Sequence, residues 1–147
     1  MAPLIVLAAL FVVLSGLGLL GVPLLEGWHT PLRLALAGMF LLTACAHWGR
    51  RRPDLVRMVP KAFPRPGLLV TLTGVLELLG ALGLLVPSLA PWAALGLTLM
   101  LVAMFPANVH AARERLSIAG APVPSLAPRT LIQAVFLAAT VAVFLRR

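Results

Sequence analysis

Apolar residues occur in five long runs along this chain, and short connections rich in arginine, proline or glycine separate the runs. A helix needs about 20 predominantly apolar residues, with a usual range of about 17–25, to cross the hydrocarbon core of a bilayer. Each of the five runs is close to this length. The pattern therefore predicts five membrane-spanning helices, at residues 3–25, 31–48, 67–86, 91–112 and 129–145.

Prolines mark several ends of these predicted spans. Pro87 and Pro91 enclose a tight turn between the third and fourth spans, since proline cannot continue a helix interior, and Pro128 suits the first turn of the last span. Pro106 interrupts the fourth span and leaves a carbonyl about one turn earlier without its donor. Arg33 lies inside the short second span, so we expect its side chain to snorkel to the interface.

The first apolar run has a competing interpretation, which is a cleaved signal peptide. Such a peptide has a basic region in front of a shorter apolar core. Residues 1–25 carry no charged side chain, and their apolar run is long enough to span a membrane. We therefore expect the first helix to be retained, which makes five helices rather than four.

The composition excludes a water-soluble protein. Hydrophobic residues make up 61% of the 147 residues and charged residues 11%, with a mean hydropathy of +1.06. Soluble domains have about 45–50% apolar and about 25% charged residues. A soluble enzyme, a disordered chain and a disulfide scaffold are therefore set aside. No repeat or linker divides the sequence, so it predicts a single transmembrane domain over residues 1–147, an all-α, polytopic membrane helix bundle.

The charged residues lie between the apolar runs rather than along one face, which argues against a nucleic-acid partner. The net charge is +8, and most of the 12 Lys and Arg fall in the connections at 49–66 and 113–129. Cytoplasmic loops of membrane proteins are enriched in these residues. Placing both connections and the N-terminus in the cytoplasm puts nine of the 12 basic residues there. The pattern thus predicts a multi-pass protein of the cell (inner) membrane, with an amphipathic turn at 55–59 on the lipid headgroups.

One acid interrupts the third predicted span. Glu77 lies at the middle of that span, near the bilayer midplane. An ionised acid at this depth costs at least about 2.5 kcal/mol, so Glu77 must be neutral, paired or facing water. Thr73 and Gly74 lie one turn before it on the same helical face. Two interpretations stay open: Glu77 belongs to a ligand site, or it is a neutral acid that hydrogen-bonds between helices and supports packing.

Three further polar residues fall in the halves of the spans nearest the basic connections. His47 ends the second span, Asn108 follows Pro106 in the fourth, and Gln133 lies one turn into the fifth. These residues and Glu77 come from four different helices. We predict that they share a polar cavity that opens to the cytoplasm, with Glu77 at its deepest point. The alternative is four unrelated residues, each satisfied locally.

The sequence contains no motif for a metal, haem, iron–sulfur cluster, flavin or nucleotide phosphate, so no cofactor follows from the residues. The three histidines and the one cysteine are scattered, without the HExxH spacing of a zinc site. A single Cys45 also excludes a disulfide or a dithiol within one chain. We expect Cys45 to be a small buried hydrophobe.

An ordered series of short elements resembles the DoxX-like family of small integral membrane proteins. Small residues lead to His47 and Trp48, and a proline-flanked loop follows at 59–66. The most specific elements are Thr-Gly-Val-Leu-Glu at 73–77 and Phe-Pro-Ala-Asn at 105–108, in front of a last helix that carries Gln133. The resemblance covers residues 32–144, about three quarters of the chain. Trp48 departs from the pattern, because the family usually has phenylalanine there.

The resemblance implies a four-helix membrane core, to which the first run adds an extra N-terminal transmembrane helix. It also implies an association with quinone-linked oxidation of sulfur compounds or with oxidative-stress assemblies. On this basis we predict that the chain binds a quinone, or a similar apolar ligand with carbonyl groups, as a subunit of a redox system. Because the chain has no electron donor of its own, it would be at most a subunit of a quinone-linked oxidoreductase, and a redox protein partner would supply the electrons.

Six residues would carry this function. Glu77 would donate a hydrogen bond or a proton to a ligand oxygen, and His47 would exchange protons with the cytoplasm, as histidine does near neutral pH. These two are the predicted catalytic residues. The predicted ligand-binding residues are Asn108, Gln133, Thr73 and Gly74.

Two other classes of function stay open. A protein that binds lipids or other hydrophobic molecules without catalysis, or that serves as a scaffold, would need the same cavity. A small channel or transporter is disfavoured, because the sequence has little internal symmetry and one buried charge. The small residues of the third span would also allow two copies of the chain to associate as a homo-oligomer.

Overall fold

The protein is built from α-helices. The computed structural model describes residues 2–118 and 120–146, and within them five helices are long and apolar enough to cross a membrane. The prediction of five such helices is confirmed, and this is the architecture of a membrane-embedded protein. The six α-helices of the described residues are α1 (Ala2–Leu19), α2 (His29–Ala46), α3 (Arg52–Met58), α4 (Pro66–Leu85), α5 (Ala90–Arg113) and α6 (Leu126–Leu145). Of these, α3 is the one too short to span a membrane.

The first helix ends six residues before the predicted boundary. After Leu19 the chain turns at Gly21, which has a φ of 93°, and a single 3-10 turn follows at Pro23–Leu25. Glycine adopts this φ without steric cost. A side chain at Gly18 would overlap the carbonyl of Leu25, so the returning chain can lie against α1 only where glycine leaves room.

Helix α2 occupies the centre of the bundle. Helices α1 and α4 pack along it, α5 packs against α4, and α6 packs against α5. In the most apolar 18-residue stretch of α2, 44% of the residues are buried, whereas the buried fraction of the same length of α1 is 6%. Large apolar side chains on the outside of the bundle are exposed, as expected where lipid covers them. The core cluster includes Ala35, Leu36, Phe40, Leu84, Leu97 and Val143.

Arg33 points into the bundle rather than to the interface, so the predicted snorkelling is wrong. Its side chain is buried, and Nη1 donates a hydrogen bond to the carbonyl oxygen of Leu84 at 2.6 Å. Leu84 lies in the last turn of α4, where carbonyls lack helical donors and carry a partial negative charge. The guanidinium group therefore caps the C-terminal end of α4 and ties it to α2.

The small residues of α4 pack against other parts of the same chain. Gly74 lies against the side chains of His47 and Trp48, and Gly80 lies against Leu97 of α5. A Cβ atom at Gly74 would lie 2.6 Å from the nearest atom of His47, and one at Gly80 would lie 2.6 Å from the nearest atom of Leu97. Close contacts of this kind are the usual role of small residues in membrane bundles. Both glycines are therefore used for intramolecular packing.

The basic connection after α2 forms helix α3, as the apolar residues at 55–59 predict. Arg52 anchors this helix: Nη1 donates to the carbonyl of His47 at 2.9 Å, and Nη2 donates to the carbonyl of Gly67 at 3.0 Å. Nη2 also lies 2.9 Å from the hydroxyl oxygen of Thr71. One of the six basic residues of this connection is thus fully engaged in holding α2, α3 and α4 together.

The connection after α5 forms a small hairpin, in which Ser117–Ile118 (β1) pairs antiparallel with Ala121–Pro122 (β2). Arg57 of α3 donates to the carbonyl of Ser117 at 3.4 Å, and it also pairs with Asp54. This contact joins the two basic connections. Both therefore lie at one end of the bundle, which we call the basic end.

Candidate functional site

A cavity of about 720 Å³ opens at the basic end of the bundle. This volume lies within the range of about 300–1,000 Å³ that is usual for small-molecule sites. Its lining is mostly apolar and comes from α2, α5 and α6, with the first residues of α1 and the segment after the hairpin at its sides. Four polar residues that the sequence assigns to one site all line it, namely His47, Glu77, Asn108 and Gln133.

Glu77 is the acid of this cavity. The residue is 5% exposed. The Thr43 hydroxyl of α2 lies close to its carboxyl group and donates a hydrogen bond to the carbonyl oxygen of Phe40 at 3.1 Å. One carboxyl oxygen of Glu77, Oε2, is buried and has no hydrogen-bond partner among the described residues. Buried polar groups are nearly always hydrogen-bonded, so an unpaired oxygen on a cavity wall points to a missing partner.

His47 is the nearest titratable group to that oxygen. Its Nδ1 atom lies 3.7 Å from Oε2 of Glu77, too far for a hydrogen bond, and 3.0 Å from the carbonyl oxygen of Thr43. Because a carbonyl oxygen only accepts, Nδ1 carries the hydrogen in this arrangement. A modest rotation of the ring would redirect that hydrogen from Thr43 to Glu77.

His47 and Glu77 lie at the same level of the bundle, whereas the sequence analysis places Glu77 deeper than His47. Helix α2 ends at Ala46, and its last residues meet the middle of α4 rather than the first turn of α4. The first two turns of α4 extend past this level and are covered by Arg52. Glu77 therefore lies beside His47 instead of well below it.

Asn108 and Gln133 form a directed hydrogen-bond network between α5 and α6. Arg129 donates to Oδ1 of Asn108, Nδ2 of Asn108 donates to Oε1 of Gln133 at 2.5 Å, and Nε2 of Gln133 donates to the carbonyl of Leu101 at 2.5 Å. Each amide uses one of its two N–H bonds in this network. The remaining N–H of each is the group available for a ligand.

The network also reaches the backbone of α5 next to its proline. Pro106 has no N–H group, so the carbonyl of Val102, four residues earlier, lacks its helical donor. The adjacent carbonyl, that of Leu101, accepts the hydrogen bond from Gln133. Gln133 thus stabilises the helix pair as well as lining the cavity.

Thr73 and Gly74 do not line the cavity. The Thr73 hydroxyl lies 3.0 Å from the carbonyl of Leu69 and 3.1 Å from that of Val70, within its own helix. Gly74 faces the His47 side chain. The structure therefore gives Gly74 a positioning role, and ligand binding by Thr73 or Gly74 stays a prediction.

Several lining residues are not among the predicted site residues. Thr43 lies one turn before His47 on the same face of α2, and Arg129 lies one turn before Gln133 on the same face of α6. Their spacing of four residues from a predicted site residue is the signal that could have identified them. Arg50 and Arg51 also line the cavity, although the sequence presents them as topological charges.

Cys45 is exposed and lines the cavity, so the prediction of a buried cysteine is wrong. Burial in α2 follows the faces that meet α1 and α4, and Cys45 lies away from both. Within residues 2–118 and 120–146, no three His, Cys, Asp or Glu side chains come together as a metal site.

The sequence model of one protein family, described as "Domain of unknown function (DUF8561)", matches residues 36–144. The chain belongs to the DUF8561 family. The DUF8561 region begins within α2 and ends in the last turn of α6, so it contains all four polar residues of the cavity, whereas α1 lies outside it. Comparisons with curated proteins and with solved structures find no match. The function of this DUF8561 protein must therefore be argued from the cavity itself.

Proposed function

We propose that the protein binds a quinone or a similar apolar ligand with carbonyl groups in the cavity beside Glu77. The observation that carries this proposal is the buried Oε2 atom of Glu77, which has no hydrogen-bond partner among the described residues. Leaving such an atom unpaired costs about 1–3 kcal/mol. A ligand oxygen within hydrogen-bond distance would remove that cost. The resemblance to DoxX-like proteins supports the same class of ligand.

The cavity supplies the proton chemistry that a quinone needs. A neutral Glu77 carboxyl can donate its hydrogen to a ligand carbonyl, and His47 can return a proton to Glu77 across the short gap between them. The free N–H groups of Asn108 and Gln133 can orient a second ligand oxygen. Quinone turnover also needs electrons, and in this proposal a redox partner protein supplies them.

The location of the cavity sets the direction of proton exchange. The basic end carries most of the Lys and Arg of the chain, so we place it in the cytoplasm and the protein in the cell (inner) membrane. Protons would then enter and leave the cavity on the cytoplasmic side, and the ligand would reach it from the apolar core of the bilayer.

A second candidate function is non-catalytic binding of a lipid or other hydrophobic molecule, or a scaffold role. The observation that favours it is the burial of Glu77 beside the end of α2, where Oε2 lies 3.7 Å from Nδ1 of His47, because this contact joins α2 to α4. In this case Glu77 stabilises the bundle, and the cavity selects its ligand by shape and hydrophobicity.

The ligand content of the purified protein tests both candidates. Wild type, Glu77→Leu and the matched control Glu26→Leu are purified in a mild detergent, and bound quinones and lipids are extracted and quantified by mass spectrometry. Leucine is comparable in size to glutamate but has no group that can donate a hydrogen bond. Glu26 is exposed at the opposite end of the bundle. Thermal unfolding of each protein reports whether the fold is intact.

For the quinone proposal we expect about one quinone per chain in wild type and in Glu26→Leu. A buried hydrogen bond of about 1.4 kcal/mol corresponds to a tenfold change in affinity, so Glu77→Leu should lose most of the ligand while the fold stays intact. Equal quinone content in Glu77→Leu, with a lower unfolding temperature, would instead favour the scaffold role. Wild-type protein without any quinone would contradict the first proposal.

A further inference from the structure

Three arginines line the cavity at the basic end, where it opens. Arg50 and Arg51 follow α2, and Arg129 lies near the start of α6. None of the three forms an ion pair with a carboxylate within residues 2–118 and 120–146. The one carboxyl group on the cavity wall is that of Glu77, in the middle of α4. The mouth therefore has an excess of positive charge.

Arg129 contains an unused donor. One nitrogen of its guanidinium group donates to Asn108, but its Nε–H is buried and has no acceptor among the described residues. This differs from Arg52 and Arg57 of the same end, whose guanidinium groups are bonded to protein oxygens. An arginine held in place by one bond and left with a buried, unpaired N–H is arranged for an additional acceptor.

Helix α6 adds to the positive potential at this point. The segment just before α6 lines the mouth, and the Ser125 side chain makes no capping hydrogen bond. The N–H groups of the first turn of α6 are therefore not satisfied by a side-chain cap. The N-terminal end of a 20-residue helix carries a partial positive charge and favours an anion.

The depth of the mouth indicates the source of the anion. Arg50 and Arg51 follow the end of one membrane helix, and Arg129 lies near the start of another, so we place all three at the level where lipid headgroups meet the hydrocarbon core. Below them the cavity wall is apolar, with Met104, Ile132 and Phe136 among its residues. A phosphate group with an attached acyl chain matches both parts, because arginine binds phosphate through paired hydrogen bonds and the apolar wall accepts the chain.

We propose that Arg129, Arg50 and Arg51 form a site for the phosphate group of an anionic membrane phospholipid, at the mouth of the cavity. The site is separate from the oxygen of Glu77. It would select phospholipids with a net negative charge over zwitterionic ones, because no carboxylate at the mouth pairs with a headgroup ammonium.

Native mass spectrometry of the full chain in a non-ionic detergent tests this site. The protein is titrated with phosphatidylglycerol, with phosphatidylcholine and with inorganic phosphate. We expect phosphatidylglycerol to bind at least about tenfold more tightly than phosphatidylcholine, because the choline ammonium is repelled by the arginines and finds no carboxylate at the mouth. Inorganic phosphate should not compete at millimolar concentration, since it lacks the acyl chain.

Three variants locate the site. Arg129→Gln and the double variant Arg50→Gln/Arg51→Gln should each weaken phosphatidylglycerol binding by about tenfold or more, and the control Arg113→Gln should not. Arg113 is exposed and does not line the cavity. The double variant matters because the side chains of Arg50 and Arg51 are exposed and form no hydrogen bond with another described residue, so it tests the site even if Arg129→Gln unfolds.

Equal affinity for the two lipids, or equal losses in Arg113→Gln and the double variant, would overturn the proposal. Saturable binding of inorganic phosphate that displaces phosphatidylglycerol would reassign the site to a soluble phosphate compound. The titration requires no quinone, so the phosphate site and the quinone site can fail independently.

Discussion

Nδ1 of His47 lies 3.7 Å from Oε2 of Glu77, and the two side chains are 5% and 6% exposed. Their helices, α2 and α4, come this close because Gly74 has no side chain. The His47 side chain lies directly against Gly74, one turn before Glu77. A residue that lines no part of the cavity thus controls the distance between its two titratable groups.

The first prediction concerns Gly74→Ala. A Cβ at this position would lie 2.6 Å from Cβ of His47 and 2.8 Å from its Cγ, and neither atom is at the flexible end of a side chain. Overpacking of this kind costs about 1–3 kcal/mol. We expect a loss of that size in the free energy of unfolding in detergent micelles.

Gly96→Ala is the matched control for this substitution, because a Cβ at Gly96 would meet nothing within 4 Å. We expect its unfolding free energy to stay within about 0.5 kcal/mol of wild type. Equal stability of the two variants would show that His47 does not lie against α4 as described.

The second prediction concerns Arg33→Ala. This change removes the donor to the Leu84 carbonyl and leaves the end of α4 uncapped. Hydrogen bonds that involve a charged group contribute about 1.5–3 kcal/mol, so we expect a loss of that order in the free energy of unfolding. Arg113→Ala, at an exposed arginine, should change it by less than about 0.5 kcal/mol. An Arg33→Ala protein as stable as wild type would mean that the guanidinium group lies at the interface after all.

The third prediction is a double-mutant cycle on Asn108 and Gln133. Asn108→Leu or Gln133→Leu alone leaves a buried or partly buried amide without its partner, at a cost of about 1–3 kcal/mol. In the double variant neither amide remains. We therefore expect the double variant to lose less unfolding free energy than the sum of the two single losses, by about 0.5–3 kcal/mol, measured in the same detergent. Strict additivity would contradict the hydrogen bond between the two residues.

The fourth prediction concerns orientation. In a Cys45→Ser background, Lys61→Cys and Ser88→Cys each place one thiol in an exposed connection, at opposite ends of the bundle. If the basic end is cytoplasmic, a membrane-impermeant maleimide should label Ser88→Cys in intact cells and Lys61→Cys only after permeabilisation. The reverse pattern would place the cavity mouth on the outside.

The polar residues of the cavity were predictable in part, for a physical reason. A polar group inside a bilayer is costly, so Glu77, Asn108 and Gln133 are conspicuous in an apolar sequence. Arg129 and Thr43 are not, because an arginine near a span end is common and a threonine can satisfy its hydroxyl on its own helix. Their role depends on which residues of other helices they reach.

The sequence alone determined that this is a membrane-embedded chain with five apolar helices, because hydrophobic length is a local property that needs no knowledge of neighbours. The end of α1 at Leu19 depended on the contact of Gly18 with Leu25, and the inward direction of the Arg33 side chain depended on its hydrogen bond to Leu84. Tertiary packing also set the offset of α2 relative to α4 along the bundle, and therefore the short distance between His47 and Glu77. Helix register follows from close packing of side chains against glycines on a neighbouring helix, and no count along a single helix contains that information.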